Sequence, residues 1–194
     1  MSAGRGTLVL VVGPSGVGKD SVIAGARARF RGEDRLVFAR RIITRSSDAG
    51  GEDHIAVSPD EFAEMRQYGR LMLHWEAHGL AYGLPRGLAH ALEQGRSVVA
   101  NVSRTVLDTA RRNFAPAIVV TVTASPATLA RRLALRGREK TGDIEARLAR
   151  GVTLAGVDAD HVIANDGALH DAVEAFVAVL NRVLDQTEAV VPSG

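Results

Sequence analysis

The 194-residue chain sets 24 Lys and Arg against 22 Asp and Glu, a formal net charge of +2, with 46% hydrophobic and 24% charged residues. That much apolar side chain excludes a mainly disordered state, a net charge of +2 is too weak to track nucleic-acid phosphates, and the lack of Cys excludes disulfides and thiolate metal sites. No apolar run approaches the ~20 residues of a membrane span, and the length fits one domain of roughly 100–200 residues.

Arg5 and the run Thr7–Val12 have the outline of a signal peptide. The run is too short and Gly13-Pro14 ends it, so a buried strand and a cytoplasmic protein are expected. A Gly-rich turn, Gly13 to Gly18, leads into a helix over Asp20–Phe30, with Val22, Ile23, Ala26 and Phe30 on one face. Leu36–Thr44 contains a β-like stretch. Pro59 opens a helix with Ser58 as N-cap, Glu61 three residues on and Gly69 at its end. Leu84–Glu93 reads as a further helix, Ser97–Val102 as a buried strand and Ser103–Phe114 as a helix. Ala117–Ala124 is rich in β-branched residues and predicts a strand. Ser125-Pro126 caps a helix to about Arg136, and the polar run Gly137–Gly142 separates it from a helix at about Asp143–Leu154. His161–Asn165 is a short strand, Ala168–Leu184 a long amphipathic helix and the last residues a loose tail. Strands alternating with helices predict an α/β fold with a mainly parallel sheet and helices on both faces.

Gly13-Pro14-Ser15-Gly16-Val17-Gly18-Lys19 has the spacing G-x-x-x-x-G-K between a predicted strand and a predicted helix. Glycines let backbone N–H groups converge on phosphate oxygens, and the helix N-terminus adds a positive dipole end. Lys19 and Lys140 are the only lysines, so a compact ammonium at position 19 stands out in an Arg-rich chain. The motif expects Ser or Thr next, for Mg²⁺; here Asp20 stands there, followed by Ser21. Asp20 either faces a Mg²⁺ ion beside the triphosphate or favours the helix N-terminus.

These features, with the Tyr82-Gly83 pair, the Arg-rich helices and Asn165-Asp166, resemble the guanylate-kinase-like nucleoside monophosphate kinases over about Thr7–Leu184. The likeness is closer to a sister family, the ribose 1,5-bisphosphate phosphokinases of phosphonate catabolism. It rests on Gly13–Ser21 (GPSGxGKDS), Ile43–Arg45, Ala49–His54 (AGGExH), Trp75–Gly83 (WxAHGLxYG), Asn101–Arg104 (NxSR) and Arg136–Glu139 (RGRE). The resemblance implies that ATP phosphorylates ribose 1,5-bisphosphate at its 1-phosphate, giving 5-phosphoribosyl 1-diphosphate and ADP. It also implies a core over about 7–44 and 97–184, an acceptor region over about 45–95 and a lid over about 136–147. Lys19, Arg136 and Arg147 are then the catalytic cations, with Arg138 a weaker third. Gly13 through Ser21 and Asn165 hold the nucleotide, and Arg45, His54, Tyr82 and Arg104 hold the acceptor. Asn165-Asp166-Gly167 reads equally as a plain turn.

Where guanylate kinases use a second Arg, this chain has Ser47-Asp48, and the acidic guanine readers align with His74 and Ser103. Guanine would leave polar groups unpaired there, which sites reject strongly. Arg131, Arg132 and Arg150 read as solvated helix faces. A guanylate kinase with an altered pocket, and a non-catalytic binding module, are the competing readings. A GTPase would need N-K-x-D, which is absent.

Overall fold

A computed structural model describes residues 4–46, 52–135 and 157–189. The expected helix at 143–154 and the lid lie outside the described residues. Among those described, two sheets form. The first has five parallel strands, β1 (Leu8–Val12), β2 (Leu36–Phe38), β7 (Ser97–Asn101), β8 (Ala117–Thr123) and β9 (His161–Ala164), in the order β2-β7-β1-β8-β9. The second is mixed and has four, β3 (Arg41–Ile43), β4 (His54–Ala56), β5 (Leu71–Ala77) and β6 (Leu80–Pro85), in the order β4-β3-β6-β5.

The uniform apolar sequence of β1 follows from its central position. A strand alternates its side chains between the two faces, and here both faces are covered. Val9 and Val11 pack with Val22 and Ala26 of helix α1 (Lys19–Arg29) and with Phe176 and Leu180 of the C-terminal helix α6 (Leu169–Ala189). Leu8, Leu10 and Val12 pack on the other face with Leu84, Leu92 and Leu107. Helices α3 (Gly87–Glu93) and α4 (Leu107–Asn113) close that side. Each such fully buried side chain contributes about 1.5–3 kcal/mol relative to exposure. Gly25 lets α1 and α6 approach, since a Cβ there would stand 2.5 Å from Val173 Cγ2.

Helix α2 (Pro59–Gln67) starts as its sequence predicts. Ser58 Oγ accepts from the Glu61 N–H at 3.2 Å, and the Glu61 carboxylate accepts from the Ser58 N–H at 2.6 Å. It packs Phe62 with Ile42 and Leu71 in a small separate cluster.

Three expected elements differ. Leu36–Thr44 divides into β2 and β3, which belong to different sheets, because the chain leaves the first sheet at Ala39-Arg40. The helix expected from Leu84 starts at Gly87 instead; Leu84 and Pro85 end β6, paired with Leu73 and Leu71 of β5. The helix expected from Ser103 opens as a 3₁₀ turn, Arg104–Val106, capped by the Ser103 side chain, and becomes α4 only at Leu107. Helix α5 (Pro126–Leu135) follows Ser125-Pro126 as expected. No helix of the described residues is long and apolar enough to cross a membrane.

Candidate active site

The turn between β1 and α1 carries the phosphate motif. Gly18 caps α1 in the left-handed conformation, φ 94°, and no side chain caps the helix with a hydrogen bond. The helix N-terminus is therefore free to accept an anion. Gly13 has φ 151°, and a Cβ there would stand 2.4 Å from the Val122 carbonyl oxygen. Only glycine fits this close passage beside β8. Val17 is fully buried in the core and anchors the turn.

The Val17 carbonyl is held from two sides. Asn165 Nδ2 donates to it at 2.8 Å, from the end of β9, and Arg132 Nη1 donates at 3.1 Å, from α5. Asn165 is 2% exposed, so it braces the loop rather than lining the cavity, and its Oδ1 has no hydrogen-bond partner. Arg132 is likewise no solvated helix face. Beside Asn165, Asp166 Oδ1 accepts from the Ser125 N–H at 2.7 Å, which ties the end of β9 to the start of α5. This bond holds the Asp166 carboxyl below its usual range.

Lys19 folds back over the loop, and its Nζ donates to the carbonyls of Gly13 (2.7 Å) and Pro14 (3.0 Å). Burial pulls its ammonium down to about 8 from 10.5; Asp20 opposes this shift, and nearby Arg41 adds to it. Asp20, next on the helix, is exposed at the cavity wall, and Asn101 Nδ2 donates to its Oδ1 at 2.7 Å.

A cavity of about 380 Å³ opens over the loop. Gly13 to Gly16, Gly18 to Ser21, Asn101, Ser103 and Arg104 line it. Arg41, Trp75, His78 and Tyr82, from the second sheet and its hairpin turn, line it as well. Trp75 and Tyr82 are cross-strand partners on β5 and β6, with rings stacked at 5.6 Å and 4° apart in plane. The Arg41 guanidinium lies 5.2 Å from the Tyr82 centroid and forms a two-pronged ion pair with Glu52. The wall is thus a layered stack of guanidinium, phenol and indole. His78 and Gly79 form the two-residue turn between β5 and β6, both with positive φ, 53° and 73°.

Lys19, Asp20, Ser21, Tyr82 and Arg104 are brought together as the sequence predicts. Arg45 and His54 do not line this cavity. His54 is buried at 7% exposure, with Nδ1 2.9 Å from the Glu52 carbonyl and Nε2 3.1 Å from the Arg45 carbonyl. Arg45 Nη2 lies 3.5 Å from His54 Nδ1. The two residues brace the edge of the second sheet, on whose strand β4 His54 sits. His74 is exposed and also lies off the cavity wall. Arg136 and Arg147 lie outside the described residues. Sequence reasoning missed Arg41, Glu52 and the contact of Asn101 with Asp20.

The guanylate kinase family matches residues 5–185. A ribose 1,5-bisphosphate phosphokinase PhnN of Acidiphilium cryptum is 51% identical over 93% of this chain and 95% of its own length. One from Rhizobium etli is 46% identical over 94% of this chain and 93% of its own length. The chain belongs to the guanylate kinase family, in the branch of the ribose 1,5-bisphosphate phosphokinases. The fold agrees: a guanylate kinase from Anaplasma phagocytophilum superposes with a TM-score of 0.67 at 18% identity, covering 93% of this chain and 86% of that one. Family membership makes the chain a kinase with ATP as co-substrate. The open N-terminus of α1, the glycine turn and Lys19 fit a triphosphate. No group of three or more His, Cys, Asp or Glu suited to a metal is found among the described residues. Asp20 at the cavity wall fits Mg²⁺, which binds kinases through one or two carboxylates and the substrate phosphates.

Proposed function

We propose that the chain transfers the γ-phosphoryl group of ATP to the 1-phosphate of ribose 1,5-bisphosphate, giving 5-phosphoribosyl 1-diphosphate and ADP, in the cytoplasm and within phosphonate catabolism. An oxygen of the 1-phosphate attacks the γ-phosphorus, and the bond from that phosphorus to the β–γ bridging oxygen breaks. The acceptor oxygen is already anionic near neutral pH, so no strong general base is needed. Catalysis is then positioning and charge neutralisation. Lys19 and the N–H groups of Gly13 to Gly18 cradle the triphosphate, and Asp20 would hold a Mg²⁺ ion, which would screen the phosphate charge. Arg136 and Arg147 are the lid cations in this reading, over a lid at about 136–147. Tyr82 and Arg104 hold the acceptor, joined by Arg41 and His78; Arg45 and His54 act from behind by shaping β3 and β4.

One observation carries the acceptor assignment. Beside Lys19, the cavity lining carries Arg41, His78, Tyr82 and Arg104, and Asp20 is the sole acid among the described lining residues. Phosphates find donors there, whereas the one carboxylate in the lining open to the N1–H and amino group of guanine is Asp20, beside the phosphate loop. ADP release with Mg²⁺-ATP, comparing ribose 1,5-bisphosphate with GMP, tests this. Turnover with the sugar bisphosphate and little with GMP is expected; preference for GMP would overturn the reading.

His78 gives a sharper test of the acceptor side. Asn adopts positive φ readily, so His78→Asn preserves the turn while removing the imidazole. The variant is expected to raise KM for the acceptor about 10-fold, one lost hydrogen bond to a charged group, with the Kd for ATP unchanged. Equal changes in both constants would show that the turn, not the imidazole, matters.

A further inference from the structure

In phosphate-loop enzymes the magnesium ion lies between a Ser or Thr hydroxyl following the loop lysine and an Asp from outside the loop. This chain has a carboxylate where the hydroxyl is expected, Asp20. Strand β7 runs parallel beside β1, with Asn101 in register with Val11, two residues before the loop begins. Asn101 ends β7, is 8% exposed, lines the cavity and donates to Asp20 at 2.7 Å. Strand and helix thus present one carboxylate and one neutral polar group to the same spot.

We infer that the magnesium carboxylate has changed sides: Asp20 on the helix carries the charge that the outside Asp normally supplies, and Asn101 on the strand takes the neutral role of the hydroxyl. The inference rests on the reading of the site as a magnesium-ATP kinase. The physical reason for the amide is electrostatic. Without the metal, two carboxylates at 2.7 Å could not both ionise, since like charges that close force one to keep its proton. With Asp at position 20, a neutral residue at position 101 avoids that conflict. It must also donate, because an ionised carboxylate only accepts. An amide with the volume of Asp satisfies both demands. Its N–H fixes one carboxylate oxygen; in this proposal the other takes the metal. Asn101 is therefore a positioning residue, and the identities at 20 and 101 are coupled across a sequence separation of 81.

The test is an exchange. Asp20→Ser, Asn101→Asp and the double variant are compared with the unaltered chain. The readouts are the Mg²⁺ dependence of ATP affinity by calorimetry and Mn²⁺ binding with ATP by electron paramagnetic resonance. Asp20→Ser is expected to weaken the metal-dependent binding about 10–100-fold, and the double variant to recover to within about 10-fold of the original. A double variant as weak as Asp20→Ser would overturn the exchange while leaving Asp20 facing the metal. If Asp20→Ser leaves the metal dependence unchanged, the metal reading of Asp20 falls as well. Asp20→Asn, which removes the charge at constant volume, repeats the first comparison should Asp20→Ser fold poorly.

Discussion

Lys19→Ala is expected to lower kcat by about 10²–10³ or more, the usual cost of removing a donor aimed at developing charge, while the fold survives. The two effects separate because the ammonium is costly to bury. In the folded chain it titrates at about 8 instead of 10.5, chiefly through burial. Below about pH 8 both folded and unfolded chains carry the proton, and the desolvation cost is present in full. Between about 8 and 10.5 the folded chain has lost the proton and the unfolded chain still holds it. Stability therefore rises with pH across that window. Lys19→Ala lacks this rise, and it is not destabilised at pH 7. Urea unfolding of both proteins from pH 7 to 10.5 reads the difference directly. Parallel curves would disprove the desolvated ammonium. Unchanged kcat would remove Lys19 from catalysis. ATP supplies the missing counter-charge, so its binding near pH 9 is expected to take up a proton, visible as a buffer-dependent heat.

Gly13→Ala is expected to destabilise the fold by about 2–6 kcal/mol, from backbone strain and overpacking of ~1–3 kcal/mol each. The new Cβ would meet the Val122 carbonyl oxygen at 2.4 Å and Val17 Cγ1 at 3.2 Å. Neither can retreat: Val122 is in a central strand and Val17 is in the core. Gly32 provides the control. Its φ is 88°, but a Cβ there meets nothing within 4 Å, so Gly32→Ala is expected to cost only the ~1–2 kcal/mol of a left-handed L-residue. Equal shifts in the urea midpoints of the two variants would show that strain alone, without the clash, accounts for Gly13.

The nucleotide side was legible because its signals are local. β1 is buried on both faces and reads as a continuous apolar run, β8 is rich in β-branched residues, and the loop residues are adjacent in sequence. The acceptor side was less legible. Leu84 and Pro85 are apolar and precede a true helix, so periodicity alone extends that helix backwards. Their strand character comes from pairing with Leu71 and Leu73 across the hairpin. The hairpin turn is His78-Gly79 where Asn-Gly is the strong signal. Arg41 sits in a strand of three residues, and its place in the cavity depends on Tyr82, forty-one positions away. Asn101 meets Asp20 only because β7 returns beside β1. Resemblance carried Arg45 and His54 to the substrate by alignment, but ring nitrogens facing two main-chain carbonyls give His54 a bracing task instead.

The unequal construction of the two sheets bears on how the molecule breathes. The phosphate turn hangs from β1, whose amides pair within a fully enclosed sheet core, so they can exchange hydrogen with solvent only when the whole domain opens. β3 and β4 have three residues each, and a minor cluster of Ile42, Phe62 and Leu71 supports β3. Such a unit can open on its own, at lower free energy than global unfolding. The β3–β4 edge, with Arg41, can thus part from its partner groups and re-form while the nucleotide cradle keeps its shape.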